Sequence, residues 1–206
     1  MRIRLAPDAP RIVARVALLS VTLLGALVVP YAAGLRVLGP SRSMPRGVYW
    51  LNSAAPVPGH IVIMCLPKSL AEYGRARRYL LPRHWGPACP GETQPVGKLL
   101  AAAAGDEVVV AEDGLYVNGL RVAAWPELER EPRSDVELRK QYRLGAGEVW
   151  LHAPHPRSWD SRHFGPVTLP PNATVLEPVW TEDRAELSAI ARRVKRARAG
   201  ETGAEV

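Results

Sequence analysis

The chain has 206 residues and a formal net charge of +7, from 27 lysines and arginines against 20 aspartates and glutamates. A hydrophobic content of 47% excludes an intrinsically disordered chain, and 20 prolines argue against a helical bundle because proline breaks helices. Two cysteines are too few for a disulfide-dense scaffold or a cysteine-rich zinc site, so the composition favours one domain of short strands and ordered loops with additional segments.

An uncharged run of 20 residues, 16–35, dominates the N-terminal region. A helix of that length spans the ~30 Å hydrocarbon core of a bilayer, and Pro30 is expected to kink or end it. A cleaved signal peptide is the competing interpretation. Its candidate cleavage sites place Tyr31 or Pro30 at the minus-three position, which favours an uncleaved anchor. Arginines flank the run on both sides, so charge bias leaves the orientation open.

Short strands are predicted for most of the segment that follows. Two apolar runs within 47–66 are separated by a proline- and glycine-containing turn, and 98–110 passes from small residues through Gly105 into a strand. The pairs Asp113-Gly114 and Asn118-Gly119 predict tight hairpins, and hence a β-meander over 107–123. Further predictions are strands at 148–151 and 175–180, a short helix at 70–81, a charged surface excursion at 125–142 and a solvated helix that frays into a charged tail over 181–206.

Three segments carry candidate catalytic residues. They are Ser-Arg-Ser-Met-Pro at 41–45, Lys98, and Ser-Trp-Asp-Ser-Arg at 158–162. Each has an ordinary alternative: a serine beside proline is a turn residue, one lysine is a solvated charge, and Asp-x-Arg is a surface ion pair. Three histidines lack the spacing and the companion ligands of a metal site, so no metal and no cofactor is predicted; these are His152, His155 and His163.

Taken in order, these motifs resemble the type I signal peptidases, which are membrane-anchored Ser-Lys endopeptidases. The apolar run is followed by Ser-x-Ser-Met-Pro, by Lys98 ahead of Gly105-Asp106, by a Val-Asn-Gly hairpin and by Ser-x-Asp-Ser-Arg-x-x-Gly. The segments SMPRGVYW, CPGETQPVGK and SWDSRHFGPV bring the likeness closer to the conjugal-transfer TraF-type branch. The resemblance covers about residues 12–180. It departs at 152–157, where the family has Gly-Asp-Asn, and at Leu99, where arginine is common.

The resemblance implies a role for each matching residue. Ser43 would be the nucleophile, and Lys98 the general base, with a pKa lowered from about 10.4 to about 7–8 by apolar surroundings. The hydroxyl of Ser41 and the backbone N–H of Ser43 would form the oxyanion hole. The last motif would supply supporting residues: Ser158 to orient the lysine, Asp160 and Arg162 as an ion pair, and Ser161 beside them.

Cys65 and Cys89 have two interpretations. They are either two buried free thiols or, if the domain lies outside the cytoplasmic membrane, a disulfide. The resemblance to the TraF-type branch favours the disulfide.

The fold implied by the resemblance is mainly β, a signal-peptidase-like sheet or barrel with one N-terminal transmembrane helix and a short C-terminal helical tail. The expected boundaries are 1–36 for the cytoplasmic N-terminus and anchor, 37–180 for a periplasmic peptidase domain and 181–206 for the tail. The protein would be single-pass in the inner membrane. Ser43 lies eight residues beyond Leu35, so the nucleophile is expected close to the bilayer surface.

The implied function is cleavage of exported precursors after small residues, in conjugal transfer or pilin maturation. The implied partners are an exported preprotein or prepilin, the lipid bilayer and a type IV secretion or conjugation apparatus. Nucleic acid is not an expected partner because the arginines are dispersed along the chain. Two alternatives stay open: a housekeeping signal peptidase, and a non-catalytic tethered β-domain that acts as a scaffold.

Overall fold

The computed structural model describes residues 9–38, 43–83, 89–124, 141–155, 158–182 and 184–200. The chain divides into two compact units, Met1–Arg36 and Val37–Val206. The prediction of a mainly β fold with one apolar N-terminal helix is confirmed.

The first unit contains helix α1, Ala9–Ala32, which includes Pro30 and ends two residues after it. Its stretch Arg11–Ala32 has a mean hydropathy of 2.4, and none of its most apolar window is buried. By length and composition this helix can cross a bilayer, although a signal sequence would show the same properties. At its C-terminal end, Arg36 Nη1 donates a 2.6 Å hydrogen bond to the carbonyl of Tyr31 and its guanidinium lies over that ring.

Two antiparallel sheets make up most of the second unit. The larger sheet has the strand order β1-β2-β11-β3-β4-β9-β10 and the smaller one β7-β6-β5-β8. The strands are β1 (Leu35–Leu38), β2 (Gly47–Asn52), β3 (Ile61–Met64), β4 (Val96–Ala103), β5 (Glu107–Val110), β6 (Gly114–Val117), β7 (Leu120–Ala124), β8 (Gln141–Arg143), β9 (Glu148–His152), β10 (Val167–Thr168) and β11 (Thr174–Thr181). The remaining helices are α2 (Lys68–Ala76), α3 (Ser161–Phe164) and α4 (Arg184–Arg198), with a short 3-10 turn at Pro90–Glu92.

The predicted meander is present as β5, β6 and β7, and the predicted strands at 148–151 and 175–180 are β9 and β11. Helix α2 is shorter than predicted and ends at Ala76. Strand β4 was not predicted in full: it includes the alanine run before Gly105, because its central place between β3 and β9 outweighs the weak strand propensity of alanine. Most of the predicted surface excursion, 125–140, lies outside the described residues.

Strand β4 separates two hydrophobic clusters. Leu99 and Ala101 belong to a cluster that includes Tyr49, whereas Val96 and Leu100 belong to one that includes Trp159. Because successive strand residues point to opposite faces, Lys98 lies on the face of Val96 and Leu100. The lysine is therefore placed inside the sheet's apolar packing rather than at its surface.

Helix α4 packs against the sheets, so the prediction of a solvated helix is wrong for one of its faces. Four side chains spaced three or four residues apart are at least 96% buried: Leu187, Ile190, Val194 and Ala197. The many arginines between them conceal this narrow apolar stripe in the sequence. Near the end of the helix, Arg198 Nε lies 3.3 Å from the carboxylate of Asp106, which also accepts a hydrogen bond from the backbone of Ala103.

A disulfide joins Cys65, directly after β3, to Cys89, with a Cα–Cα distance of 5.3 Å. The predicted disulfide is confirmed, and the alternative of two free thiols is wrong. The bond connects the end of one central strand to the segment that leads into β4.

Candidate active site

Three residues from separate parts of the sequence meet at β4. Lys98 Nζ donates hydrogen bonds to Ser43 Oγ at 2.8 Å and to Ser158 Oγ at 2.5 Å. The two serine oxygens are 3.3 Å apart. A hydroxyl, an amine and a second hydroxyl thus form a compact group in which protons can move over single hydrogen bonds.

The position of Ser43 follows from the packing of the residues after it. Met44 is 4% exposed, and its side chain occupies the space beside Gly97, where a Cβ would lie 3.3 Å from Met44 Cγ. Tyr49 donates a 2.8 Å hydrogen bond to the carbonyl of Pro45. Burial raises the pKa of Tyr49 to about 12, so the phenol remains a donor. Ser43 is therefore fixed by an anchored Met-Pro pair.

Lys98 is 1% exposed, and this burial lowers the pKa of its amine from 10.5 to about 8. The carboxylate of Asp160 opposes the shift, and the guanidinium of Arg162 reinforces it. Desolvation disfavours the ammonium because a charge loses its hydration in apolar surroundings. A useful fraction of this lysine is consequently neutral near physiological pH, as a general base must be.

An ion pair holds the loop that carries Ser158. Asp160 is fully buried and accepts hydrogen bonds from Arg162 Nε at 2.8 Å and from the backbone N–H of Ala153 at 2.9 Å. Burial alone would raise the pKa of Asp160, but Arg162 outweighs it and the pKa falls to about 2. Arg162 Nη2 also donates to the carbonyls of His155 and Ser158. The carboxylate and the guanidinium together set the shape of this loop.

Ser161 has a structural contact in the same region. It is fully buried, and its Oγ accepts a 2.9 Å hydrogen bond from the backbone N–H of Leu151 in β9. The contact ties the start of α3 to the sheet. Ser41, the other residue implied for the oxyanion hole, lies outside the described residues.

His152 contacts the site, although the sequence analysis gave it no role there: it was rejected as a metal ligand and noted only within the departing segment 152–157. It ends β9 opposite Leu99, is 2% exposed, and has its Nδ1 3.8 Å from Asp160 Oδ2. Burial lowers its pKa to about 3, so the imidazole is neutral. Among the described residues, no group of three histidine, cysteine or acidic side chains has the arrangement of a metal site. The sequence did mark this region as unusual, because residues 152–157 depart from the Gly-Asp-Asn pattern of the family.

The family model described as signal peptidase, peptidase S26, matches residues 11–176. The chain belongs to this family. Two curated relatives, both plasmid transfer protein TraF from Escherichia coli, are 33% and 34% identical to it over 156 residues. The matched region covers 73% of this chain and 85% of each relative. The resemblance seen in the sequence motifs is confirmed, and no solved structure matches the chain.

Proposed function

We propose that this S26-family protein is a serine endopeptidase with Ser43 as its nucleophile and Lys98 as its general base. The observation that carries the proposal is the 2.8 Å contact between Lys98 Nζ and Ser43 Oγ, made by an amine that is only 1% exposed. A buried lysine beside a serine hydroxyl has little structural value, because an apolar residue would pack there without a desolvation cost. The arrangement does suit proton transfer.

In the proposed reaction, the neutral amine of Lys98 takes the Ser43 hydroxyl proton while Oγ bonds to the substrate carbonyl carbon. The carbonyl electron pair moves onto its oxygen, where the backbone N–H of Ser43 and the hydroxyl of Ser41 would stabilise the charge. The lysine ammonium then gives its proton to the departing amine as the C–N bond breaks. A water molecule, deprotonated by the same lysine, hydrolyses the acyl-enzyme and restores Ser43.

Ser158 is proposed to orient the amine in this reaction. Its 2.5 Å contact with Nζ leaves the lysine directed at Ser43 in both protonation states. The Asp160–Arg162 ion pair acts on the loop rather than on the substrate, because both groups are held by the protein's own backbone. We therefore assign these two residues to support of the site.

The proposed substrates are exported precursors that are cleaved after small residues, and the proposed setting is conjugal transfer or pilin maturation. The setting is supported by the relatives, which are named plasmid transfer proteins. Helix α1 is proposed to remain as a single membrane anchor, with the catalytic domain on the periplasmic side and a type IV secretion or conjugation apparatus as a partner. The disulfide supports export, because such bonds persist in oxidising compartments.

The proposal predicts that Ser43→Ala and Lys98→Ala each lower kcat/KM by at least ~10³-fold, because nucleophile and base act as a unit. Lys98→Arg is also expected to be inactive, since a guanidinium stays protonated. The measurement is cleavage of a quenched fluorescent peptide with an Ala-x-Ala site by the purified full chain.

Matched controls come from exposed residues of the same types. Ser53 is exposed in the turn after β2, and Lys68 has 76% of its side chain exposed. Ser53→Ala and Lys68→Ala are expected to retain kcat/KM within about twofold. Unchanged cleavage by the Ser43 and Lys98 variants would contradict the peptidase proposal and favour a tethered scaffold.

A further inference from the structure

Helix α2 belongs to an insert, residues 65–89, that lies between β3 and β4 in the chain and is closed by the disulfide. From the last turn of this helix, Arg75 Nη1 donates hydrogen bonds to the carbonyl of Gly91 and to the carboxylate of Glu92, at 2.8 and 2.9 Å. The insert is therefore attached to the chain that enters β4 by one covalent bond and by side-chain contacts. Lys98 lies further along that strand.

Trp159, the neighbour of Ser158 in the sequence, packs against this insert. It is 4% exposed, and its ring stacks on Tyr73 of α2 at a centroid distance of 6.2 Å and lies 5.7 Å from the ring of Tyr79. Gly74 of α2 faces the indole so closely that a Cβ there would lie 2.5 Å from Trp159 Cζ3. The helix approaches the ring this closely because glycine has no side chain.

The indole is held by packing rather than by a hydrogen bond. Among the residues that the structure describes, Trp159 Nε1 has no hydrogen-bond partner. Phe164 of α3 adds an edge-on ring at a centroid distance of 4.9 Å. Aromatic rings at such distances stabilise one another through contact area and ring geometry. A phenylalanine at position 159 would therefore keep much of the packing that an alanine loses.

The packed indole constrains Ser158 because the two residues are adjacent in the backbone. Ser158 Oγ accepts the 2.5 Å hydrogen bond from Lys98 Nζ, so its position matters for the amine. The carbonyl of Ser158 accepts from Arg162 at 3.4 Å, which is long for a hydrogen bond, and its N–H donates to His155 of the same loop. These backbone contacts hold Ser158 less firmly than the aromatic packing holds its neighbour.

We propose that Trp159 is a positioning residue that couples the insert to the candidate active site: α2 holds the indole, and the indole fixes the Ser158 hydroxyl against Lys98 Nζ. The proposal rests on the proposed function and extends it. The resemblance assigns roles to the neighbours of this tryptophan on both sides, but none to the tryptophan itself. Its action is indirect, through the placement of one hydroxyl.

The test is a double-mutant cycle with Ser158→Ala on the purified full chain, assayed with the Ala-x-Ala peptide. Trp159→Ala is expected to lower kcat about 10-fold and to leave KM within about twofold, because it disturbs the orientation of the base rather than substrate contacts. Trp159→Phe is expected to recover kcat to within about threefold of the unaltered chain. In the Ser158→Ala background, Trp159→Ala is expected to lower kcat further by less than about twofold, because the hydroxyl on which it acts is absent.

Leu187→Ala is the control for a general loss of core packing, since Leu187 is also 4% exposed but belongs to the other hydrophobic cluster. Its kcat is expected to stay within about twofold at temperatures where it is folded. Equal losses for Trp159→Ala in the two backgrounds, a rise in KM without a loss of kcat, or no recovery in Trp159→Phe would each overturn the positioning role. A loss of kcat in Leu187→Ala as large as that in Trp159→Ala would also overturn it.

Gly74→Ala tests the same contact from the side of the insert, and it replaces Trp159→Ala if that variant does not fold, as judged by thermal unfolding. Alanine favours a helix more than glycine does, so α2 is retained while the new Cβ displaces the indole. We expect kcat to fall about 5-fold, and by less than about twofold in the Ser158→Ala background. Gly25→Ala, at a helical glycine with open space around it, is the matched control and should leave kcat unchanged. An unchanged kcat in Gly74→Ala would overturn the proposal.

The failure of this proposal is distinguishable from failure of the peptidase assignment. Only cleavage that Ser43→Ala abolishes is counted in the cycle. If Ser43→Ala retains full cleavage, the peptidase proposal fails and the positioning role fails with it. If Ser43→Ala is inactive and the Trp159 and Gly74 variants keep the kcat of the unaltered chain, the positioning role alone is wrong.

Discussion

At the scale of single residues, Lys98 meets two opposite requirements. As the proposed base it must be dry enough to lose a proton, yet it must keep hydrogen-bond partners when charged, because an unpartnered buried ammonium would destabilise the fold. Burial and the serine hydroxyls of Ser43 and Ser158 satisfy these requirements together. Asp160 limits how far the pKa falls, since it favours the ammonium.

The pH dependence of cleavage follows from the lowered pKa of Lys98. Since the proposed base is the neutral amine, kcat/KM is expected to rise about tenfold per pH unit below about pH 8 and to level off above it. A site that needs a protonated acid would show the opposite trend, with kcat/KM falling as the pH rises. The measurement is a pH profile of peptide cleavage at constant ionic strength. A midpoint near 6.5 would assign the base to a histidine and contradict this prediction.

The sequence predicted which side chains meet at β4 better than it predicted their surroundings. Ser43, Lys98 and Ser158 belong to motifs whose order is informative before any fold is known. His152 was not predicted as part of the site, because its contact with Asp160 depends on strand register and on closure of the following loop. Neither property is contained in a local pattern.

At the scale of elements, α4 is the part of the chain whose role the sequence obscured. A stripe of four apolar residues is embedded among cations, and composition alone therefore indicated a solvated helix. The helix packs against the strands because removing the apolar stripe from water is favourable, while the polar residues of the opposite face stay solvated. The helix closes one side of the cluster that contains Leu99 and Tyr49.

Truncation of this buried stripe is expected to destabilise the domain. Leu187 is 4% exposed, so Leu187→Ala should lower the free energy of unfolding by about 2–5 kcal/mol through lost burial and a residual cavity. Arg192→Ala, on the exposed face of the same helix, should change it by less than about 0.5 kcal/mol. Urea unfolding of the full chain in detergent, followed by circular dichroism, provides the comparison. Equal effects of the two variants would show that α4 is not part of the cooperative fold.

At the scale of the whole molecule, two features bear on where the protein works. Helix α1 is long and apolar enough to cross a bilayer, and the second unit contains a disulfide. A cleaved leader and a permanent anchor share the first feature, and charge bias does not orient the chain because arginines such as Arg15 and Arg36 lie on both sides of the apolar run. The disulfide supports the proposed periplasmic location of the second unit, since such bonds persist in oxidising compartments.

A single experiment on intact cells tests anchoring and orientation together. Thiols are blocked with a membrane-permeant maleimide, membranes are washed with alkaline carbonate, and the pelleted protein is analysed by mass. We expect the chain to be retained with α1 attached and with Cys65 and Cys89 unmodified, because an anchored, exported domain keeps its disulfide. The matched control is the Cys89→Ala variant, in which Cys65 should accept one maleimide. Loss of α1 from the recovered mass would identify a cleaved leader, and modification of both cysteines in the unaltered chain would place the second unit in the cytoplasm.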